Sequence, residues 1–173
     1  MNIHPAFTHF PVALFTLYAL MELVRFKKVL AQPYWFYVKA MFVILGTLSS
    51  YATYFTGTLI ESDFGSESRV VELHSSFALG TLILFSVISL AYVVAWLGRT
   101  QLPARYLAAG VFAQLWRVAS RLAAVMQHPG VSCLLALVGL AGITVTGALG
   151  GALAYGPEID PAVSFIYHLF FRE

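Results

Sequence analysis

Four long apolar blocks, separated by short polar connections, dominate the pattern of the chain. They cover about residues 7–26, 34–60, 74–97 and 131–155. Each is near or above the ~20 mostly apolar residues that an α-helix needs to cross a bilayer. Only 10% of the residues are charged, whereas a soluble domain carries about a quarter. The pattern predicts an all-α integral membrane protein, with a single four-transmembrane-helix bundle over residues 1–173.

Two shorter segments have a different pattern. In residues 106–127, Arg117 and Arg121 fall on one helical face, and apolar residues lie largely opposite. Because each arginine in the middle of a span would cost roughly 2.5 kcal/mol or more, we predict an amphipathic helix on the cytoplasmic membrane surface. If this segment crossed the membrane instead, the C-terminus would lie inside. Asp160, which precedes a proline, predicts the start of a short interfacial helix over 160–171 on the outer surface.

The distribution of charge predicts the orientation in a bacterial inner membrane. Lysine and arginine accumulate on the cytoplasmic side, and most of them flank the first and third connections: Arg25, Lys27, Lys28, Lys39, Arg99, Arg105, Arg117 and Arg121. Both termini are therefore predicted to lie outside. The net charge of +2 follows from this asymmetry and does not indicate a nucleic-acid-binding protein. Glu22 is the one carboxylate within a predicted span, and we expect a structural ion pair with Arg25 or Lys39.

Histidines gather near the outer ends of the predicted helices. His9 and His74 each enter a helix, and an ionisable side chain inside a span indicates a functional site. Imidazoles from facing helices hold the iron of b-type haem, so His9 and His74 are the candidate iron ligands, with His4 in reserve. Small residues at the same depth in the membrane would leave space for a porphyrin, and an aromatic ring would line that space. The candidates are Gly57, Gly147, Gly150, Gly151 and Tyr155.

Pro11 lies close to His9 and admits two interpretations. Inside the first turns of a helix, it would kink the chain and aim His9 inward. If the helix begins near Thr8, Pro11 instead occupies the first turn, where proline is well tolerated. The sequence leaves both interpretations open.

The histidines support three hypotheses about function. The first is a b-type cytochrome-like electron-transfer protein or subunit with one haem near the outer face. It would exchange electrons with a quinol, an external cytochrome c or other membrane subunits. The second is a cofactor-free accessory subunit of a larger membrane complex. The third is a zinc or copper site that uses His4, His9 and His74. No catalytic motif indicates a stand-alone enzyme.

A short internal similarity links the two halves of the chain. YFTGTLIES closes the second apolar block and TVTGALGGALAYG closes the fourth, each with a Thr-Gly pair. Both predicted hairpins run inward and then outward, so the halves would be related in a parallel sense. The match is too short to establish a duplication, but it places Gly57, Gly147, Gly150 and Gly151 at similar depth.

HPAFTHFPVAL, FTGTLIES, VVELHSSFALG and TGALGGALAYG follow one another along the chain. Together they resemble the signature of a bacterial membrane family, domain-of-unknown-function family 2231, over most of the chain. The resemblance implies a four-helix membrane domain, and because members occur joined to or near cytochrome c modules, it favours electron transfer. It implies motif positions at His4, His9, His74, Gly147, Gly150, Gly151 and Tyr155. Members often continue with a His-Gly pair where this chain has YGPEIDPAV, so a site that uses that histidine is altered here or uses His168.

Overall fold

The computed structural model describes residues 4–60, 68–103 and 110–171. Every regular element in these ranges is helical, which confirms the predicted all-α class. The helices are α1 (His4–Leu23), α2 (Lys27–Leu30), α3 (Trp35–Thr58), α4 (Arg69–Leu97), α5 (Gly110–Met126), α6 (Pro129–Tyr155) and α7 (Pro161–Phe170). Of the predicted amphipathic segment 106–127, residues 106–109 lie outside the described residues.

Three of the described helices, α3, α4 and α6, are long and apolar enough to cross a membrane. In α1 the apolar stretch is shorter and covers Phe7–Leu23. Only 22–33% of the most apolar windows of the three long helices is buried inside the chain. Apolar surface of this extent is typical of helices that contact lipid. Length and composition together indicate a membrane protein.

The four longest helices form a ring in which each helix packs against two others. Helix α1 packs against α3 and α6, and α4 packs against the same two helices. Helices α1 and α4 face each other across the centre of the ring. One end of the ring carries His4 and His74, and we call it the histidine end. The opposite end, which holds Glu22 and most of the basic residues, is the basic end.

A stack of four residues crosses the centre of the bundle. The rings of Phe15 and Phe85 are parallel to within 6°, with their centroids 3.7 Å apart. Behind Phe15 lies Gly46, where an added Cβ would be 2.7 Å from the ring. Behind Phe85 lies Gly139, where an added Cβ would be 2.6 Å from Cζ. The two glycines thus let α3 and α6 approach the rings that α1 and α4 contribute.

The stack shows that the two halves of the chain are structurally equivalent. Each phenylalanine meets the glycine of its own half, and the two phenylalanines meet each other. These matched contacts indicate an approximate two-fold axis through the bundle. The two glycines lie further apart along the chain than the two phenylalanines. The connection at the basic end is therefore longer in the second half, and α5 lies in that connection.

At the basic end, a buried carboxylate links three helices. Glu22 is 1% exposed, and both of its oxygens accept hydrogen bonds from Lys39 Nζ at 3.0 Å. The Tyr92 hydroxyl also donates to Glu22 Oε1. The predicted ion pair is therefore confirmed, with Lys39 as the partner. Glu22 and Tyr92 have the same separation along the chain as Phe15 and Phe85, so they too are equivalent positions that meet across the bundle.

Candidate functional site

His4 packs into a niche on α3 formed by Thr53, Thr56 and Gly57. Its Nδ1 lies 3.1 Å from Thr56 Oγ1. An added Cβ on Gly57 would lie 3.0 Å from His4 Cε1. Gly57 thus makes room for the imidazole, and we call this arrangement the His4 niche.

His74 packs into an equivalent niche on α6. Its Nδ1 lies 3.0 Å from the backbone oxygen of Thr146. An added Cβ on Gly150 would lie 3.0 Å from His74 Cε1. The two niche histidines have the same separation along the chain as the stacked phenylalanines, and the niche glycines have the same separation as the glycines of the stack. The short similarity in the sequence placed Gly57 at a depth similar to that of Gly147, Gly150 and Gly151, and the contacts of this His74 niche identify Gly150 as its counterpart.

Hydrogen bonding assigns the protonation of His74 and is compatible with the same state of His4. The carbonyl of Thr146 only accepts, so His74 Nδ1 carries a hydrogen. Thr56 Oγ1 donates its single hydrogen to the Thr53 carbonyl at 2.9 Å. In that arrangement Thr56 Oγ1 accepts from His4 Nδ1. A neutral imidazole with its hydrogen on Nδ1 has its lone pair on Nε2, the nitrogen through which each ring would bind a metal.

Pro11 contributes to the His4 niche through the backbone of α1. Proline lacks an N–H and leaves the carbonyl four residues before it without its helical donor. For Pro11 this carbonyl belongs to Phe7, and Thr53 Oγ1 donates to it at 2.9 Å. Pro11 lies inside α1 and is buried, whereas His9 is exposed. The structure thus corrects both interpretations of this proline, because α1 extends to His4 and His9 does not point inward.

The remaining candidate residues lie apart from the two niches. His9 is on the exposed face of α1, and Tyr155 is 70% exposed at the end of α6. An added Cβ on Gly147 would meet nothing within 4 Å. On Gly151 it would lie 3.3 Å from Val163 of α7. Of the glycines predicted to give a porphyrin room, only the two niche glycines therefore face imidazole rings.

Helix α7 covers the second half at the histidine end. Asp160 Oδ1 accepts hydrogen bonds from the backbone N–H groups of Ala162 and Val163 at 2.8 and 2.9 Å, which confirms the predicted N-cap. His168 Nε2 lies 2.8 Å from Glu158 Oε1. The hydrogen bond from His168, and to a lesser extent the one from Ser164, holds the pKa of the exposed Glu158 carboxyl below its usual value. His168 is thus engaged at the surface.

The described residues contain no group of three or more His, Cys, Asp or Glu side chains that would hold a metal ion. Zinc sites use three or four protein ligands. A b-type haem needs only axial ligands from the protein, because the porphyrin supplies the other nitrogens.

Three threonines of the niches, Thr53, Thr56 and Thr146, escaped the sequence interpretation. A signal for the niches does exist in the spacing of other residues. The spacing from the niche histidine to the stacked phenylalanine is the same in both halves, and so is the spacing from the stack glycine to the niche glycine. This repeated spacing aligns the halves correctly and identifies His4 as the counterpart of His74.

Comparisons with models of protein families, with curated proteins and with solved structures give no match. The resemblance to family 2231 stays a prediction that rests on the quoted motifs. The functional interpretation therefore depends on the geometry of the two histidine niches.

Proposed function

We propose that the chain is a membrane-embedded b-type cytochrome-like electron-transfer protein or subunit, with one haem held by His4 and His74. The observation that supports this is the matched placement of the two rings, each with Nδ1 within hydrogen-bond distance of a threonine oxygen on the neighbouring helix. Histidines that bind metals commonly donate their second ring N–H to a carbonyl or carboxylate, which fixes the tautomer and orients the ring. Both niches supply this support from threonine.

His4, rather than His9, is the proposed ligand from α1. His4, Thr8, Pro11 and Phe15 follow one another at helical spacing along the side of α1 that packs on the bundle, and Pro11 and Phe15 are buried. His9 lies on the exposed side. When bound, the haem would supply reversible one-electron chemistry. The chain's own contribution is to hold the two imidazoles by their Nδ1 hydrogen bonds and by the glycines behind them.

The proposed topology has four spans, with α1 as the first. The positive-inside rule puts the basic end in the cytoplasm and both termini outside, with α5 at the inner surface. A haem between His4 and His74 would then lie near the outer face. One such haem does not carry electrons across the bilayer, so we propose that a quinol, an external cytochrome c or another membrane subunit completes the route.

Replacement of the niche histidines tests the proposal. We expect His4→Ala and His74→Ala each to abolish haem retention in detergent-purified protein made with haem available. His9→Ala is the matched control, since it removes an exposed imidazole from α1 and should leave haem content unchanged. Haem per protein is measured by the pyridine haemochrome assay. Wild-type haem content in His74→Ala would contradict the ligand assignment.

A second candidate, a cofactor-free accessory subunit, is favoured by one specific contact. In each half the imidazole lies against the glycine of the adjacent helix and joins the helices without any ligand. On this hypothesis the purified protein is colourless. The same histidine substitutions would then lower thermal stability and release neighbouring subunits, with no change in the visible spectrum.

A further inference from the structure

Helix α5 carries three different faces along its length. The first packs on the bundle, where Ala123 is 3% exposed and Gln127 Nε2 donates to the Ala91 carbonyl at 3.2 Å. Trp116 approaches Gly98 at the end of α4, within 3.8 Å of an added Cβ. One face of α5 is therefore packed against the rest of the chain.

The second face is polar and the third is apolar. Arg117 and Arg121 occupy the polar face and are exposed. The apolar face is a row of side chains that are each 55–68% exposed, and it consists of Val111, Leu115, Val118, Leu122 and Val125. At 100° per residue, the row lies about a third of a turn from the arginines and about a third from the packed face. Within the described residues nothing covers this row.

Helix α5 has no counterpart in the first half of the chain. The corresponding connection of the first half is shorter and holds only α2. The bundle therefore closes in the first half without such a helix. The exposed apolar row of α5 therefore calls for another explanation.

The charge at the basic end defines what this surface would bind. Between residues 23 and 60, and again between 73 and 157, the sequence has no aspartate or glutamate. Glu22, at the edge of this region, is buried and paired with Lys39. The exposed cations of α2 and α5 therefore have no carboxylate of the same end to neutralise them. They are Lys27, Lys28, Arg117 and Arg121.

We propose that α5 is an in-plane helix that binds anionic lipid, with its apolar row among the acyl chains and its arginines at the lipid phosphates. A helix with one apolar and one basic face lies in the interface in this way. The neighbouring helices α4 and α6 are long and apolar enough to cross a bilayer, and α5 packs against both. Helix α2 has a similar makeup, with Lys27 and Lys28 beside Phe26, which is 73% exposed. This inference does not depend on the haem.

Spin labels on the full chain in vesicles test where the row lies. In a Cys133→Ser background, we place single labels with Val118→Cys and Leu122→Cys on the apolar row. Arg117→Cys on the polar face, about 100° around the helix from Val118, is the matched control. We expect the row labels to collide with oxygen and to be shielded from a water-soluble nickel complex, and the control to show the reverse. Row labels open to nickel, or shielded from both reagents by a second copy or a partner protein, would overturn the proposal.

Lipid selectivity tests the role of the arginines. Arg117→Gln with Arg121→Gln should weaken the preference for spin-labelled phosphatidylglycerol over phosphatidylcholine. Each arginine is expected to contribute up to about fivefold, the factor that corresponds to ~1 kcal/mol per basic residue at an anionic surface. The control pair, Arg117→Lys with Arg121→Lys, keeps the charge and should keep most of the preference. An unchanged preference in the glutamine variant would exclude headgroup binding by these arginines.

Discussion

Alanine at the glycines of the central stack should destabilise the bundle. Carbon atoms in contact normally lie about 3.5–4.0 Å apart, but a Cβ on Gly46 would be 2.7 Å from Phe15. The ring would have to retreat by about 1 Å. Its other face lies against Phe85, which in turn lies against Gly139. Neither ring of this stack can move away without compressing the next residue.

The magnitude follows from two opposing effects. Overpacking of a filled core costs about 1–3 kcal/mol, while alanine improves helix propensity over glycine by about 1 kcal/mol. We therefore expect Gly46→Ala and Gly139→Ala each to lower the free energy of unfolding by up to about 2 kcal/mol, and by about 1–3 kcal/mol relative to an alanine variant at an open glycine. Gly80 and Gly147 serve as controls, because a Cβ there meets nothing within 4 Å. Their alanine variants should be neutral or more stable.

The assay is reversible unfolding of the full chain in detergent micelles with increasing SDS, followed by circular dichroism. The approximate two-fold axis predicts similar losses for Gly46→Ala and Gly139→Ala. Phe15→Leu should recover part of the loss in the Gly46→Ala background, because the smaller side chain opens the stack. If Gly46→Ala and Gly139→Ala are as stable as Gly80→Ala, the packing at the centre of the bundle is not as described.

Two further predictions concern charged groups. Lys39→Met should lower the free energy of unfolding in SDS by about 3–5 kcal/mol, because it leaves the Glu22 carboxylate buried without its cation. Adding Glu22→Gln to this variant should recover most of the loss. A Lys39→Met variant as stable as the wild type would refute a buried charge at Glu22. The pKa of Glu158 is lowered by the hydrogen bond from His168, so its contribution to holding α7 is complete above the usual carboxyl pKa and is lost as pH falls through the lowered value. Hydrogen exchange in α7, corrected for its intrinsic pH dependence, should therefore accelerate on acidification. The Glu158→Gln variant should lack this response. An equal response in both proteins would exclude a stabilising hydrogen bond between Glu158 and His168.

The apolar pattern was sufficient to predict the long helices. The predicted block 34–60 corresponds to Trp35–Thr58, and the block 131–155 to Pro129–Tyr155. The block 74–97 begins too late, since α4 starts at Arg69, where polar residues precede the apolar run. Hydropathy detects what contacts lipid, and it misses helical turns that extend beyond that region.

The identity of the inward histidine was harder to predict, because it depends on the rotational phase of α1. The chain from His4 to His9 turns by more than one full turn of a helix, which leaves the two side chains about 140° apart around its axis. Once Phe15 is known to be central, its spacing from His4 identifies the packed face. Sequence alone suggested that His9 enters the helix, but entering a helix does not determine the direction of the side chain. The role of Thr146 was hidden because it contacts His74 through its backbone carbonyl, which any residue would supply.

The most direct test of the central claim is the absorption spectrum of the purified wild-type protein, oxidised and then reduced with dithionite. We predict a sharp Soret band and, on reduction, the α and β bands of a b-type haem with two histidine ligands, all absent from His74→Ala. A featureless visible spectrum from wild-type protein made with haem available would contradict the haem proposal and leave the niches as contacts that join helices.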